Sequence, residues 1–291
     1  MKGARTLVIG RSGQVARALV ERAGAGADIV ALGRPDIDLA DGTGVSAAFD
    51  AHRPGLVVNA AAYTAVDTAE SEPDAAHVLN AEAPGRLARL CAERDVPFIH
   101  LSTDYVFDGT ADRPYRESDP IAPMGVYGKT KADGEAAVLA AGGRALVLRT
   151  AWVYSPFGKN FLKTMLRLGR ERDLLRVVDD QHGNPTSALD IADGILALGR
   201  KAEDWPQAPT VFHMAGAGDA TWCSFAREIF AVSSSSPCVE AITTADFPTP
   251  AKRPANSRLD CTALRERMGV MLPSWRDTLA EIVARVEQAD P

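Results

Sequence analysis

The order of apolar and amphipathic segments predicts an α/β fold: a Rossmann-type doubly wound parallel sheet with a smaller C-terminal α/β substrate lobe. Three observations carry that expectation. Short apolar runs alternate with longer helix-period segments from the first residues onward, the pattern of strand–helix–strand units. The first run, at residues 6–9, ends in GRSGQVARALVERAG, a glycine turn that opens onto a helix. Further on, VYGKTKADGEAA carries Tyr127 and Lys131 at Y-x-x-x-K spacing, which puts both side chains on one helix face.

In chain order, residues 6–9 read as a buried strand. Gly10 permits the tight turn after it, and Gly13 lets backbone N–H groups approach a pyrophosphate at the helix N-terminus. Ala16 takes the third small position, where helix and strand pack. At this loose G-x-x-G-x-x-A spacing a plain turn-to-helix glycine pair is the alternative. The second strand, 28–32, runs into GRPDIDLAD. A site that prefers NAD usually places an acidic residue at the end of this strand, on the adenosine ribose. Here that place holds Leu32, Gly33 and Arg34. Arginine suits a 2′-phosphate, so NADPH is favoured with NADH still possible; a solvated surface arginine is the other reading. Asp38 and Leu39 follow at a spacing that brings them beside the adenine.

A helix over 42–52 leads to a strand at 56–59 and then to Ala60, Ala61 and Ala62, small enough for a cofactor to lie against the backbone. A helix over 73–93 and a strand over 96–101 end in STDYVFDG. After the Tyr127 helix come a strand at 145–149, a helix at 188–198 and a last sheet strand at 211–214. Beyond about 216 the chain reads as helical and loop segments rich in proline. The expected domains are 1–150 plus about 185–214 for the dinucleotide-binding unit, and about 151–184 plus 215–291 for the substrate lobe.

At 291 residues the chain is long enough for both. A net charge of −6 argues against a nucleic-acid or anionic-membrane surface, while leaving room for a local basic pocket. No apolar run is long enough for a signal peptide or a membrane span. Cys91, Cys223, Cys238 and Cys261 are scattered, without C-x-x-C pairs or histidines at ligand spacing, and read as reduced thiols in a cytoplasmic protein. The serine run 233–236 reads as a loop between a helix and a strand.

In a parallel sheet, ligands sit outside the carboxyl ends of the strands, which brings Thr64, Thr103 and Tyr127 to one edge. An ammonium beside a phenol favours the phenolate, which makes the tyrosine usable nearer neutral pH. Tyr127 can then donate a proton to a carbonyl oxygen, with the Thr103 hydroxyl assisting. An exposed helix face and a structural strand-end threonine are the plainer readings of the same residues.

Together GRSGQVA, NAAAYTAVDTAESEP, HLSTDYVFDG, VYGKTKADGE, RTAWVYSPFGKNF, DDQHGNPTSA and PTPAKRPANSRLD closely resemble the dTDP-4-dehydrorhamnose reductase family, a branch of the extended short-chain dehydrogenase/reductases. The resemblance spans residues 1 to about 280. It implies reduction of the 4-keto group of dTDP-4-dehydro-L-rhamnose to give dTDP-L-rhamnose for cell-surface polysaccharide. By position it makes Tyr127 the proton donor, Lys131 the residue that holds the nicotinamide ribose and depresses the tyrosine pKa, and Thr103 their hydroxyl partner. It matches Gly13, Gln14 and Val15 to the cofactor turn, and Asp38, Leu39, Ala61, Ala62, Tyr63 and Thr64 to adenine and ribose contacts. Asp104 and Trp152 match substrate contacts; Trp152 would cover one face of the sugar, with a core tryptophan as the alternative.

The stretch 249–260 carries Lys252, Arg253, Asn256 and Ser257, polar donors suited to a diphosphate, unless it is a solvated surface loop. Asn160, Gln181 and Thr186 are weaker pocket candidates, and His182 reads as a loop histidine. One departure stands out. Some members bind a divalent metal at a dimer interface through acidic residues, and the corresponding positions here are Ala18 and Leu189. Neither offers an oxygen donor, so no metal site is expected, and the chain is expected to be a monomer or a weak homodimer.

Two enzyme alternatives and one non-enzyme alternative remain at this level. A related dehydratase would place an Asp-Glu pair directly after the threonine, whereas this chain has Thr103-Asp104-Tyr105. An epimerase or reductase of another 4-keto-deoxysugar is harder to separate. A non-catalytic nucleotide-binding subunit is opposed by the intact Thr103, Tyr127 and Lys131.

Overall fold

The computed structural model describes residues 5–24 and 28–289. Its strands are β1 (Thr6–Ile9), β2 (Ile29–Leu32), β3 (Leu56–Asn59), β4 (Phe98–Thr103), β5 (Ala145–Thr150), β6 (Val153–Tyr154), β7 (Leu174–Val178), β8 (His182–Gly183), β9 (Thr186–Ser187), β10 (Thr210–His213), β11 (Ala220–Thr221) and β12 (Cys238–Ile242). Six of them form one sheet in the order β10-β5-β4-β3-β1-β2, with every neighbour parallel. The chain leaves β1 for β2 on one side and returns to β3 on the other. The crevice at the carboxyl ends of β1 and β3, where Ile9 registers with both Leu32 and Asn59, is therefore the topological switch point.

The strands read as continuous apolar runs because helices cover both faces of the sheet. Within one strand the residues divide by parity. Val8, Val58, Leu146 and Leu148 pack into a core with the helices Gln14–Ala23, Ala188–Gly199, Trp222–Ala231 and Trp275–Ala289. Leu7, Ile9, Val57 and Val147 face the opposite core, built with the helices Val45–His52, Ala83–Glu93 and Val126–Ala141. A third, smaller cluster of Val106, Phe107, Tyr115, Ala151, Ala215 and Leu259 lies by the carboxyl ends of β4 and β5.

Two expectations are corrected. The helix over 73–93 is not uniform: Pro73–His77 and Ala83–Glu93 flank a π-helical turn, Val78–Glu82. The wider turn is a form that recurs at functional sites, and here it carries fully buried Asn80. Asn80 accepts from the Tyr63 N–H at 2.8 Å and donates to the Tyr63 carbonyl and the Thr130 hydroxyl, both at 3.1 Å. One amide thus ties the loop after β3 to the helix that carries Tyr127. Beyond 216 the chain is not only helix and loop, since β12 pairs in parallel with β7 over five residues. Short, partly exposed edge pairs of this kind leave little hydrophobic periodicity to read.

Candidate active site

At the carboxyl end of the sheet a cleft of 690 Å³ runs from the first glycine turn to the start of the Val126–Ala141 helix. Gly10, Gly13, Gln14, Val15, Arg34, Asp38, Leu39, Ala61, Ala62, Thr64, Tyr127 and Lys131 line it. Gly10 has φ +116°, and a Cβ there would stand 2.8 Å from the Ala61 backbone nitrogen, so only glycine brings this turn so close to the loop after β3. The helix Gln14–Ala23 begins at Gly13 with no side chain capping its N–H groups, which leaves them free for an anion. Gln14 is held by the segment after β6: its carbonyl oxygen accepts from Ser155 at 2.7 Å and from Asn160 at 2.9 Å.

At the other end, Tyr127 is the second residue of its helix. The N-terminus of that helix is anchored by Glu70, whose carboxylate accepts from the Val126 N–H at 2.9 Å. Gly128 allows the first turn to press on the strand end, since a Cβ there would lie 2.2 Å from the Tyr105 carbonyl oxygen. Tyr127 consequently stands edge-on to Tyr105, with ring centroids 5.5 Å apart. Its phenol is pushed up to about 12 by burial, opposed by a hydrogen bond with Thr103 and reinforced by the Asp104 carboxylate. Thr103 donates to Asp104 at 2.8 Å. Asp104 is 2% exposed, burial raises its carboxyl to about 6, and its Oδ2 has no hydrogen-bond partner. Thr150, in register with Thr103, carries a buried hydroxyl without a partner on the wall of the cleft.

Lys131 lines the cleft, with its amine bonded to β4. Its amine does not hold Tyr127 toward phenolate here; it donates to the Leu101 carbonyl at 2.6 Å and lies 3.4 Å from His100 Nε2. Burial brings the lysine down to about 8, with the Glu135 carboxylate opposing.

Other candidate residues separate by what their polar atoms touch. Tyr63 does not line the cleft, and its hydroxyl donates to Glu72 at 2.7 Å. Asn256 ties its loop to the segment after β4: its amide donates to the Ala111 and Arg113 carbonyls, both at 2.8 Å, while its oxygen accepts from Arg258. It organises the loop and has no donor left for a diphosphate. Arg253 is engaged by Asp67 at 2.8 Å, so an incoming anion would compete with a carboxylate. Asn160 caps the Phe161–Glu171 helix besides holding Gln14, and Thr186 bonds only to backbone. His182 is exposed. Ala18 and Leu189 are both buried in the chain's own core, and no group of three or more metal-binding side chains occurs among the described residues.

Four residues escaped the sequence reading. Arg11 lies on the cleft between the two glycines and pairs with Asp36 at 3.1 Å; a basic residue inside the phosphate turn was the available signal. Trp222 stacks on Trp152, and nothing local in the sequence marks that pairing. Glu70 and Asn80 position the Tyr127 helix from a distance in sequence, and only the fold shows it.

Comparison with known proteins agrees with this geometry. The family model described as the RmlD substrate binding domain matches residues 4–288. A dTDP-4-dehydrorhamnose reductase of Sinorhizobium fredii is 44% identical over 285 residues, covering 96% of each chain. A probable dTDP-4,6-dihydroxy-2-methyloxan-3-one 4-ketoreductase of Streptomyces antibioticus is 45% identical, over 95% of this chain and 94% of its own. The crystal structure of a dTDP-4-dehydrorhamnose reductase from Bacillus anthracis in complex with NADP superimposes with a TM-score of 0.91 at 32% identity, over 96% of this chain and 98% of that one. The chain belongs to the dTDP-4-dehydrorhamnose reductase family.

Proposed function

We propose that this protein reduces dTDP-4-dehydro-L-rhamnose to dTDP-L-rhamnose with NADPH, as a step toward cell-surface polysaccharide. The observation that carries the reading is a single cleft with a glycine turn and free helix N–H groups at one end and Tyr127 and Lys131 at the other, with the Thr103 hydroxyl bonded to Tyr127 behind its wall. The cofactor fits the residues present. Gly10, Gly13, Gln14 and Val15 would hold the pyrophosphate, Arg34 and Arg11 the 2′-phosphate, and Asp38, Leu39, Ala61, Ala62 and Thr64 the adenosine. When bound, NADPH supplies the hydride.

The chain's own residues supply the rest. The half-buried Tyr127 phenol holds its proton at neutral pH and delivers it to the forming alkoxide oxygen. Thr103 bonds the same oxygen once its one hydroxyl proton turns from Asp104 to the substrate. Lys131 holds the ribose and, once drawn toward it, offers the tyrosinate a cation. The orphan Asp104 Oδ2 suits a sugar hydroxyl, because a buried acceptor gains most from a donor that arrives with the ligand. Trp152 and Trp222 form an apolar wall for the sugar, and Arg253 exchanges Asp67 for the diphosphate. The reduced cysteines support a cytoplasmic setting, and the absent carboxylates at Ala18 and Leu189 support a monomer or a weak homodimer without metal.

The test is a coupled assay in which dTDP-glucose is converted in situ to the 4-keto-L-sugar. Loss of absorbance is compared for NADPH and NADH, and NMR identifies the product. Formation of dTDP-L-rhamnose establishes the proposal. Cofactor binding without oxidation points to another ketosugar, the direction to which the Streptomyces antibioticus relative's name points.

A further inference from the structure

Behind the cleft, Asn59 at the end of β3 and His100 in β4 are both fully buried, and Lys131 is 1% exposed. The three form a chain whose hydrogen positions follow from elimination. The Ala61 N–H can only donate, and it meets Asn59 Oδ1 at 3.2 Å. That fixes the amide so that Nδ2, also only a donor, faces His100 Nδ1 at 3.1 Å. Burial and the neighbouring Lys131 hold His100 neutral. With Nδ1 accepting, its one proton sits on Nε2, directed at the Lys131 amine 3.4 Å away. A neutral amine can accept that proton while donating to Leu101; an ammonium cannot accept it. Protonating Lys131 therefore sets two donors against each other, unless His100 changes tautomer and Asn59 turns over. The turn would break the bond to Ala61, whose backbone lines the cofactor cleft.

We propose that Asn59 and His100 are positioning residues that fix the Lys131 amine and couple its protonation to the Ala61 backbone on the floor of the cofactor cleft. The inference rests on the reading that Lys131 works at the cofactor ribose. It does not depend on which sugar is reduced.

Other groups around Lys131 do not replace this control. Glu135, one turn along the same helix, favours the ammonium, but its carboxylate is already shared by Ser102 and by Arg149 of β5. Tyr127 on the same helix and Asp104 just after β4 act on one another. Asn80, from the π turn, is neutral and bonded to Tyr63 and Thr130.

Asn59→Asp separates this idea from a merely structural role. The introduced carboxylate accepts from both Ala61 and His100 Nδ1, which forces the opposite tautomer and turns Nε2 into an acceptor for an ammonium. In protein labelled with ¹⁵N-histidine, the ring nitrogen shifts should report Nε2–H in the parent and Nδ1–H in Asn59→Asp. The alkaline limb of the kcat–pH profile, where Lys131 loses its proton, should move up by about one unit, and the pH dependence of NADPH binding should move with it. His100→Phe removes the opposed donor while keeping a ring, and should shift the same limb upward even if Asn59→Asp folds poorly.

An Nδ1–H tautomer in the parent overturns the proposal, as does a lower kcat with an unmoved limb in both variants. If no ketosugar is reduced, the reductase reading fails, but the ¹⁵N shifts and the pH dependence of NADPH binding still decide this one.

Discussion

The indole of Trp222 lies flat on that of Trp152, with ring centroids 3.5 Å apart and planes 6° from parallel. Trp152 also donates to Ser257 at 3.1 Å, and Trp222 to Gln181 at 3.2 Å, so each ring is fixed at its edge. The pair is one rigid apolar surface with one face of Trp152 already covered. Trp222→Ala should therefore act through Trp152. We expect the KM for the sugar nucleotide to rise about tenfold with the NADPH KM unchanged, from steady-state kinetics with each substrate varied. Loss of the stack also costs about 0.5–1.5 kcal/mol beyond burial, read as a lower thermal midpoint.

Tyr127→Phe removes the proposed proton donor but keeps the ring against Tyr105. The expected outcome is a fall in kcat of about 10²–10⁴, with NADPH affinity unchanged by fluorescence titration. An unaltered kcat would sink the proton-donor role.

Much of this was legible in the chain because it is local. The glycine turn, the strand ends and the Tyr127–Lys131 spacing each lie within a few residues, where backbone periodicity fixes geometry. What was not legible depends on contacts across long separations. Asn256 looked like a diphosphate donor because the sequence shows its amide but not the Ala111 and Arg113 carbonyls that use it. Lys131 looked like a partner of the tyrosine because spacing gives its face of the helix, not the Leu101 carbonyl and His100 that hold its amine. Trp222 and Asn80 stood outside every motif for the same reason.

Arg34 lines the cleft at the end proposed for the adenosine, while Arg11 nearby is shared with Asp36. Arg34→Ala should raise the KM for NADPH about tenfold, consistent with loss of a charge-assisted bond, and leave that for NADH nearly unchanged. Equal effects on both cofactors would assign the 2′-phosphate to other residues.

Glu135 and Arg149 form a two-pronged pair, at 2.9 and 2.6 Å, with both side chains 2% exposed. Breaking such a pair strands a buried charge, so Glu135→Gln should destabilise the protein by about 3–5 kcal/mol in urea unfolding. The loss should vary little with salt, because buried charges are poorly screened.

Asp104 gives a pH dependence of definite sign. Its folded carboxyl is raised to about 6 from a reference of 3.8, chiefly by burial. The folded state therefore binds the proton more tightly than the unfolded chain. Any stability tied to that proton is complete below about pH 4 and is lost as pH rises through about 6. Above that window the buried carboxylate opposes folding by roughly 1–3 kcal/mol. Asp104→Asn removes the charge while its oxygen can still accept from Thr103. Thermal unfolding should show the variant more stable than the parent at pH 8 and indistinguishable from it at pH 3.5. Asp190, also raised to about 6, titrates identically in both proteins and cancels in the comparison. At pH 8 the more stable variant should also be the poorer enzyme, with kcat/KM for the ketosugar lowered about tenfold or more by the lost acceptor. A stability gain without that loss would make Asp104 a buried charge with no part in binding the sugar.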